Sequence, residues 1–147
     1  MSTSPRPLPR VEGRTLGIAV VLTAVVFGVL DALWLGVLSG DLYTSGIGHL
    51  LADSQNAGAA AAFYVVYVLG LVHFVVRPGL ARESLGRSLA DAAAFGLVTY
   101  ATFDLTSMAV FEDFPLSVVL ADLAWGVTVC TVTTAAVLVA VRALRSE

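Results

Sequence analysis

Four long apolar runs, separated by short polar stretches, dominate the hydropathy pattern of this 147-residue chain. They fall at about 15–38, 57–76, 88–110 and 116–141, each with the roughly 20 residues needed to cross a hydrocarbon layer. Backbone groups in lipid must be satisfied internally, so such runs are expected as helices. The fold class expected is all-α, an integral membrane four-helix bundle, and residues 15–141 form its one domain. The polar stretch at about 39–56 is long enough to hold a short interfacial helix, with Leu42, Tyr43, Ile47, Leu50 and Leu51 able to share a face. Arg77-Pro78-Gly79 reads as the stop of the second span, and Glu112-Asp113-Phe114-Pro115 as a tight turn.

Composition agrees with this class. The chain is 58% hydrophobic and 13% charged, where a soluble domain carries roughly 25% charged residues. The first apolar run follows Arg6, Arg10 and Arg14, as a signal peptide would. It is longer than the roughly 7–15 residues of a signal core, and no small-x-small cleavage site follows, so it reads as a retained helix. Cys130 lies inside an apolar run and has no cysteine to pair with; it reads as a small buried hydrophobe.

Charge converts the hydropathy pattern into a topology. All eight basic residues are arginines. Arg6, Arg10 and Arg14 lie in the flexible tail 1–14, Arg77, Arg82 and Arg87 in the loop between spans two and three, and Arg142 and Arg145 in the short tail 142–147. The opposite side carries Asp41, Asp53, Glu112 and Asp113 and no arginine. The positive-inside rule puts the arginine side, and hence both termini, in the cytoplasm. The arginines are spread as topology requires rather than gathered into a nucleic-acid patch, and no nucleic acid is expected as a partner.

Three carboxylates interrupt the apolar runs: Asp31, Asp104 and Asp122. Each costs at least ~2.5–3.5 kcal/mol at mid-membrane on insertion scales, so each requires a compensating environment. Counting from the span centres at about 1.5 Å per residue puts all three roughly 6–9 Å toward the outer face. One polar chamber open to the outside is therefore expected to gather them. Asp31 is followed three residues later by Trp34, and Asp122 by Trp125, so each pair shares a helical face. A small residue follows in each case, Gly36 and Gly126, which lets a neighbouring backbone approach. On the third span Gly96, Tyr100, Asp104 and Ser107 share one face, and Thr99, Thr102 and Thr106 another. Tyr64 and Tyr67 lie at nearly the same depth on the second.

Several chemistries fit this set. Close carboxylates in a low dielectric share protons or gather around a cation. A hard cation suits oxygen ligands, whereas no His or Cys accompanies the carboxylates at that depth to make a zinc site. Tryptophan and tyrosine faces beside carboxylates suit an organic cation. The plainer reading is an interhelical hydrogen-bond network that only holds the bundle together, with Trp34 and Trp125 as interfacial belt residues. His73 and His49 read as interfacial groups, and Asp91 as an acid suited to a helix N-terminus. No phosphate loop, nucleophile elbow or paired-histidine helix is present, and no cofactor is indicated.

The segments Asp31-Ala-Leu-Trp34-Leu-Gly36, Phe63-Tyr64-Val-Val-Tyr67, Tyr100-Ala-Thr-Phe-Asp104-Leu-Thr106 and Asp122-Leu-Ala-Trp125-Gly126, in that order, resemble an uncharacterised bacterial family. It is known as domain of unknown function 2177, a set of predicted inner-membrane proteins. The resemblance covers about residues 16–140 and implies a four-helix membrane fold in a bacterial inner membrane, with no established activity. Ser107 stands where the family pattern carries Asn. Three functions remain: binding or moving a small solute, cation or proton, for which four helices are thin and a homodimer is expected; a lipid-modifying enzyme or its accessory subunit; and a structural partner of a larger membrane protein. A cleft opening from the aspartates into lipid would favour a lipid ligand, and a sealed wet pocket a solute.

Overall fold

The computed structural model describes residues 11–82 and 84–145. Arg6 and Arg10 of the basic tail, Glu83, and the last two residues lie outside them. The described residues form six α-helices: α1 Gly13–Leu33, α2 Gly40–Ile47, α3 Ala57–Leu71, α4 Arg77–Ala81, α5 Leu85–Val110 and α6 Leu116–Arg145. A π-helical turn, Trp34–Leu38, extends α1, and another, Val72–Val76, joins α3 to α4 without a break. Four stretches are thus long and apolar enough to cross a membrane: Gly13–Leu38, Ala57–Ala81, Leu85–Val110 and Leu116–Arg145.

The second span does not stop at Arg77-Pro78-Gly79 but continues to Ala81. The π turn supplies the reason. Arg77 N–H bonds the carbonyl of Val72, five residues back, which widens the helix where a proline ring would otherwise meet the preceding turn. Pro78 then lies in the first turn of α4, where its missing N–H is not needed. The third span begins at Leu85, earlier than hydropathy suggests, because the Ser84 hydroxyl accepts from Arg87 N–H at 3.4 Å and caps it. Asp91 is accordingly a full turn inside α5, where it pairs with Arg82. Asn56 caps α3 by accepting from Ala59 N–H at 3.0 Å.

α6 is the central helix. It buries a wide face from Val118 to Val141, packing along α5 on one side and α1 on the other. The α5–α6 crossing is made by two glycines. A Cβ on Gly96 would run into the Gly126 carbonyl, and one on Gly126 would strike the Tyr100 ring and lie 2.9 Å from the Gly96 carbonyl. Gly36 does not share this role: nothing lies within 4 Å of a Cβ built there. The reading that a small residue after each Asp-x-x-Trp admits a backbone therefore holds on α6 and fails on α1, whose π turn faces open space at that point.

Two departures from an even bundle matter for the site. α3 leans on the bundle only through its C-terminal half: Tyr67, Val68 and Leu71 are buried, whereas Ala57 to Phe63 are exposed. α2 folds back over the end of the bundle away from the termini, setting Leu42, Tyr43 and Ile47 against Phe114, Val118 and Val119. Leu50 and Leu51 stay 43% and 48% exposed, because the chain tightens into a 3₁₀ turn at Gly48–Leu50 and rotates them off that face. At the other end Arg142 donates to the carbonyls of Gly79 and Arg82, 3.0 Å each, tying α6 to the loop after α4.

Candidate functional site

The two Asp-x-x-Trp segments meet side by side. α1 and α6 run antiparallel, so three residues of helical rise bring the tryptophan of one level with the aspartate of the other. The rings of Trp34 and Trp125 stack, 4.7 Å between centroids and 5° apart in plane. Trp125 Nε1–H donates to Asp31 Oδ1 at 3.4 Å. Trp34 Nε1–H donates to the Tyr43 hydroxyl at 3.0 Å, and Tyr43 donates in turn to Asp122 Oδ1. Each tryptophan is thus tied to the other helix's carboxylate, once directly and once through Tyr43. The π turn at Trp34–Leu38 is closed by Ser39, whose backbone N–H and hydroxyl both donate to the Trp34 carbonyl, at 2.9 and 2.8 Å.

Tyr64 donates to Asp31 Oδ2 at 2.5 Å, a second and shorter bond to that carboxylate from a neighbouring span. Tyr67 is the aromatic hub. Its ring stacks on Phe27 at 4.9 Å and meets Tyr100 edge-on at 6.3 Å, and its hydroxyl lies 2.8 Å from Thr99 Oγ1 and 3.2 Å from Cys130 Sγ. Tyr43 belongs to α2, outside the spans, where burial and then the Asp122 carboxylate push its phenol above the ordinary tyrosine range. It therefore stays protonated and acts as a fixed donor.

Between these residues lies a cleft of about 330 Å³. Asp31 and Asp122 form its polar floor, and Trp34, Trp125, Tyr67 and Tyr100 its aromatic walls. Leu35, Phe63 and Phe103 form its mouth. They are 51%, 45% and 63% exposed and stand on three different spans. The cleft lies where the N-terminal half of α3, exposed from Ala57 to Phe63, stands off the bundle. Its walls are overwhelmingly carbon, and no basic side chain lines it.

The nine candidates from the sequence divide into groups. Asp31, Asp122, Trp34, Trp125, Tyr67 and Tyr100 line the cleft; Tyr64 braces Asp31 from outside it. Asp104 does not line it. It is wholly buried, within hydrogen-bonding reach of Asp122. Ser107 is buried farther along α5 and does not reach the cleft. The single chamber expected for three carboxylates is thus a cleft with two, and a third behind it.

Sequence reasoning missed Tyr43 as a site residue. Its signal was its place on the amphipathic face of the outer segment, but no local pattern shows that the segment folds back onto Asp122. Thr99 parts from Thr102 and Thr106, which are exposed and bond only their own helix carbonyls. Phe63 and Phe103 carry no signal that distinguishes them from other lipid-facing side chains.

A floor of carboxylates accepts hydrogen bonds, so it suits a group that donates them or carries positive charge, and aromatic faces stabilise a cation further. An anionic head would meet like charge with no arginine to offset it. No curated protein and no solved structure matches the chain. A family model does, and the matched region takes in the second and third spans, most of the first and fourth, and every residue lining the cleft: the chain belongs to the family described as predicted membrane protein (DUF2177), matched over residues 16–139.

Proposed function

We propose that this multi-pass membrane protein binds a membrane-resident amphiphile whose head donates hydrogen bonds or is cationic, an amine or a polyol rather than a phosphate. The observation that carries this reading is an apolar cleft lined by Asp31 and Asp122 and rimmed by exposed Leu35, Phe63 and Phe103. The head reaches the carboxylates beside the tryptophan stack, and the apolar body leaves past Phe63 and Phe103 into the bilayer. A freely dissolved solute is less well served, because the mouth is rimmed by exposed hydrophobic side chains. This binding reading needs one copy of the chain; a transport path through four helices would need a second.

The test is extraction of lipid from protein purified in mild detergent from its native membrane. Enrichment of a non-phosphate or amine-bearing amphiphile is expected in the wild type. It should fall by at least tenfold in the Asp31→Asn, Asp122→Asn double variant, since a charge-assisted hydrogen bond contributes about 1.5–3 kcal/mol. Equal lipid profiles for the two proteins would overturn the proposal. A second reading, a structural or accessory subunit, draws on the bonds that Tyr64, Trp125 and Tyr43 already make to the two carboxylates. It expects the same variants to change stability or partner co-purification and leave the lipid profile alone.

We further propose that both termini are cytoplasmic and the membrane is a bacterial inner membrane, which puts the cleft in the outer leaflet. The support is the segregation of all the arginines to one end. Cys130 is fully buried, so single engineered cysteines report cleanly. On intact cells an impermeant thiol reagent should label Asp53→Cys and leave Arg87→Cys unlabelled. The reverse pattern would invert the topology and the leaflet.

A further inference from the structure

Asp104 is a carboxyl group with no visible means of support. It is 0% exposed, and neither of its oxygens accepts a hydrogen bond from any described residue. Asp31 and Asp122, by contrast, are each held by tyrosine or tryptophan donors. The neighbour within hydrogen-bonding reach of Asp104 is another carboxylate, Asp122, one of whose oxygens already accepts from Tyr43. Two bare carboxylates side by side, away from water, repel one another and lack the solvation each requires.

Three agents can resolve this. A hard cation takes about six or more oxygen ligands, yet among the described residues no three His, Cys, Asp or Glu side chains converge on one point. A donor from a ligand would have to enter through the cleft, which Asp104 does not line. A proton needs neither space nor further ligands. The other titratable groups whose charge bears on the pair are Asp31, Tyr43 and Tyr100. None is basic, and the described arginines stand at the other end of the bundle.

We propose that Asp104 and Asp122 hold one proton between their facing oxygens, so that a proton site lies directly behind the cleft floor. The pair then carries one negative charge. Where the cleft binds a cationic head, as proposed above, the head's positive charge at Asp122 takes the place of the shared proton. The pair goes from one negative charge to two, and one proton leaves to water for each cation bound. That linkage rests on the cleft reading; the shared proton itself does not.

Infrared spectroscopy of the protein stripped of its native lipid, at neutral pH and without added ligand, tests it. The carbonyl stretch of a protonated carboxyl is expected in the wild type and in Asp31→Asn, and is expected to be absent from Asp104→Asn. In that last variant the amide donates to Asp122 in the proton's place, so the unfolding temperature should stay within a few degrees of wild type. If Asp104→Asn does not fold, Asp104→Glu is expected to keep the band and shift its frequency. A wild type without the band, a band untouched by either Asp104 change, or a band lost only in Asp31→Asn would overturn the proposal. The band present, in a protein whose native-membrane extraction yields no amphiphile, would sink the cleft reading alone.

Discussion

Gly96→Ala is expected to cost about 3 kcal/mol or more of bundle stability, the upper end of what overpacking a tight core costs. The reason is the identity of the atom in the way. The added methyl would collide with the backbone carbonyl of Gly126, not with the tip of a side chain that could rotate aside. Relief requires moving α5 away from α6, the most extensive interface in the bundle, and that movement loosens Tyr100, which lies against Gly126. The measurement is unfolding in mixed micelles of increasing denaturing detergent. Gly36→Ala and Gly28→Ala are the controls, since nothing lies within 4 Å of a Cβ at either position. Those two should be neutral or mildly stabilising, as alanine is the better helix former by about 1 kcal/mol. An unchanged midpoint for Gly96→Ala would show that the glycine crossing is not as close as described.

The second large effect is expected at Trp125→Ala. Truncation removes one partner of the tryptophan stack, the Nε1–H donor to Asp31 and one wall of the cleft together. A fully buried tryptophan costs about 3–5 kcal/mol on truncation to alanine. Trp125 is only partly buried, so about 2–3 kcal/mol is expected, with at least a tenfold loss of the cleft's amphiphile in the extraction assay. Trp125→Phe separates the contributions. It keeps a stacking ring and loses the donor, so it should retain most of the stability and a smaller share of the bound amphiphile. Equal retention in the wild type and Trp125→Ala would mean that the stack does not shape the binding site.

Much of this architecture is legible from hydropathy because the bilayer permits so few alternatives. An apolar run of twenty or more residues with no partner for its backbone must be a helix. A helix rises evenly, so residue counting alone brings Asp31, Asp104 and Asp122 to one depth. Depth, however, is one coordinate of three. Which way Asp104 faces depends on how α5 crosses α6, and that is decided by the contact of Gly96 with Gly126, two residues on different helices whose meeting no local pattern announces. The same limit explains Gly36, which looks like Gly126 in sequence and packs against nothing. It also explains Tyr43, whose role depends on a chain reversal after Ser39. Pro78 looks like a stop in the sequence because a proline breaks a regular α-helix; the π turn before it is a departure from regularity that propensity does not encode.

The most direct test of the cleft as a binding site is a structure of the protein determined in lipid taken from its own membrane. The account predicts elongated density entering between Phe63 and Phe103, its head within hydrogen-bonding distance of Asp31 or Asp122 and its body reaching the bilayer. A cleft closed over by its own side chains, with both carboxylates contacted by protein alone, would contradict it.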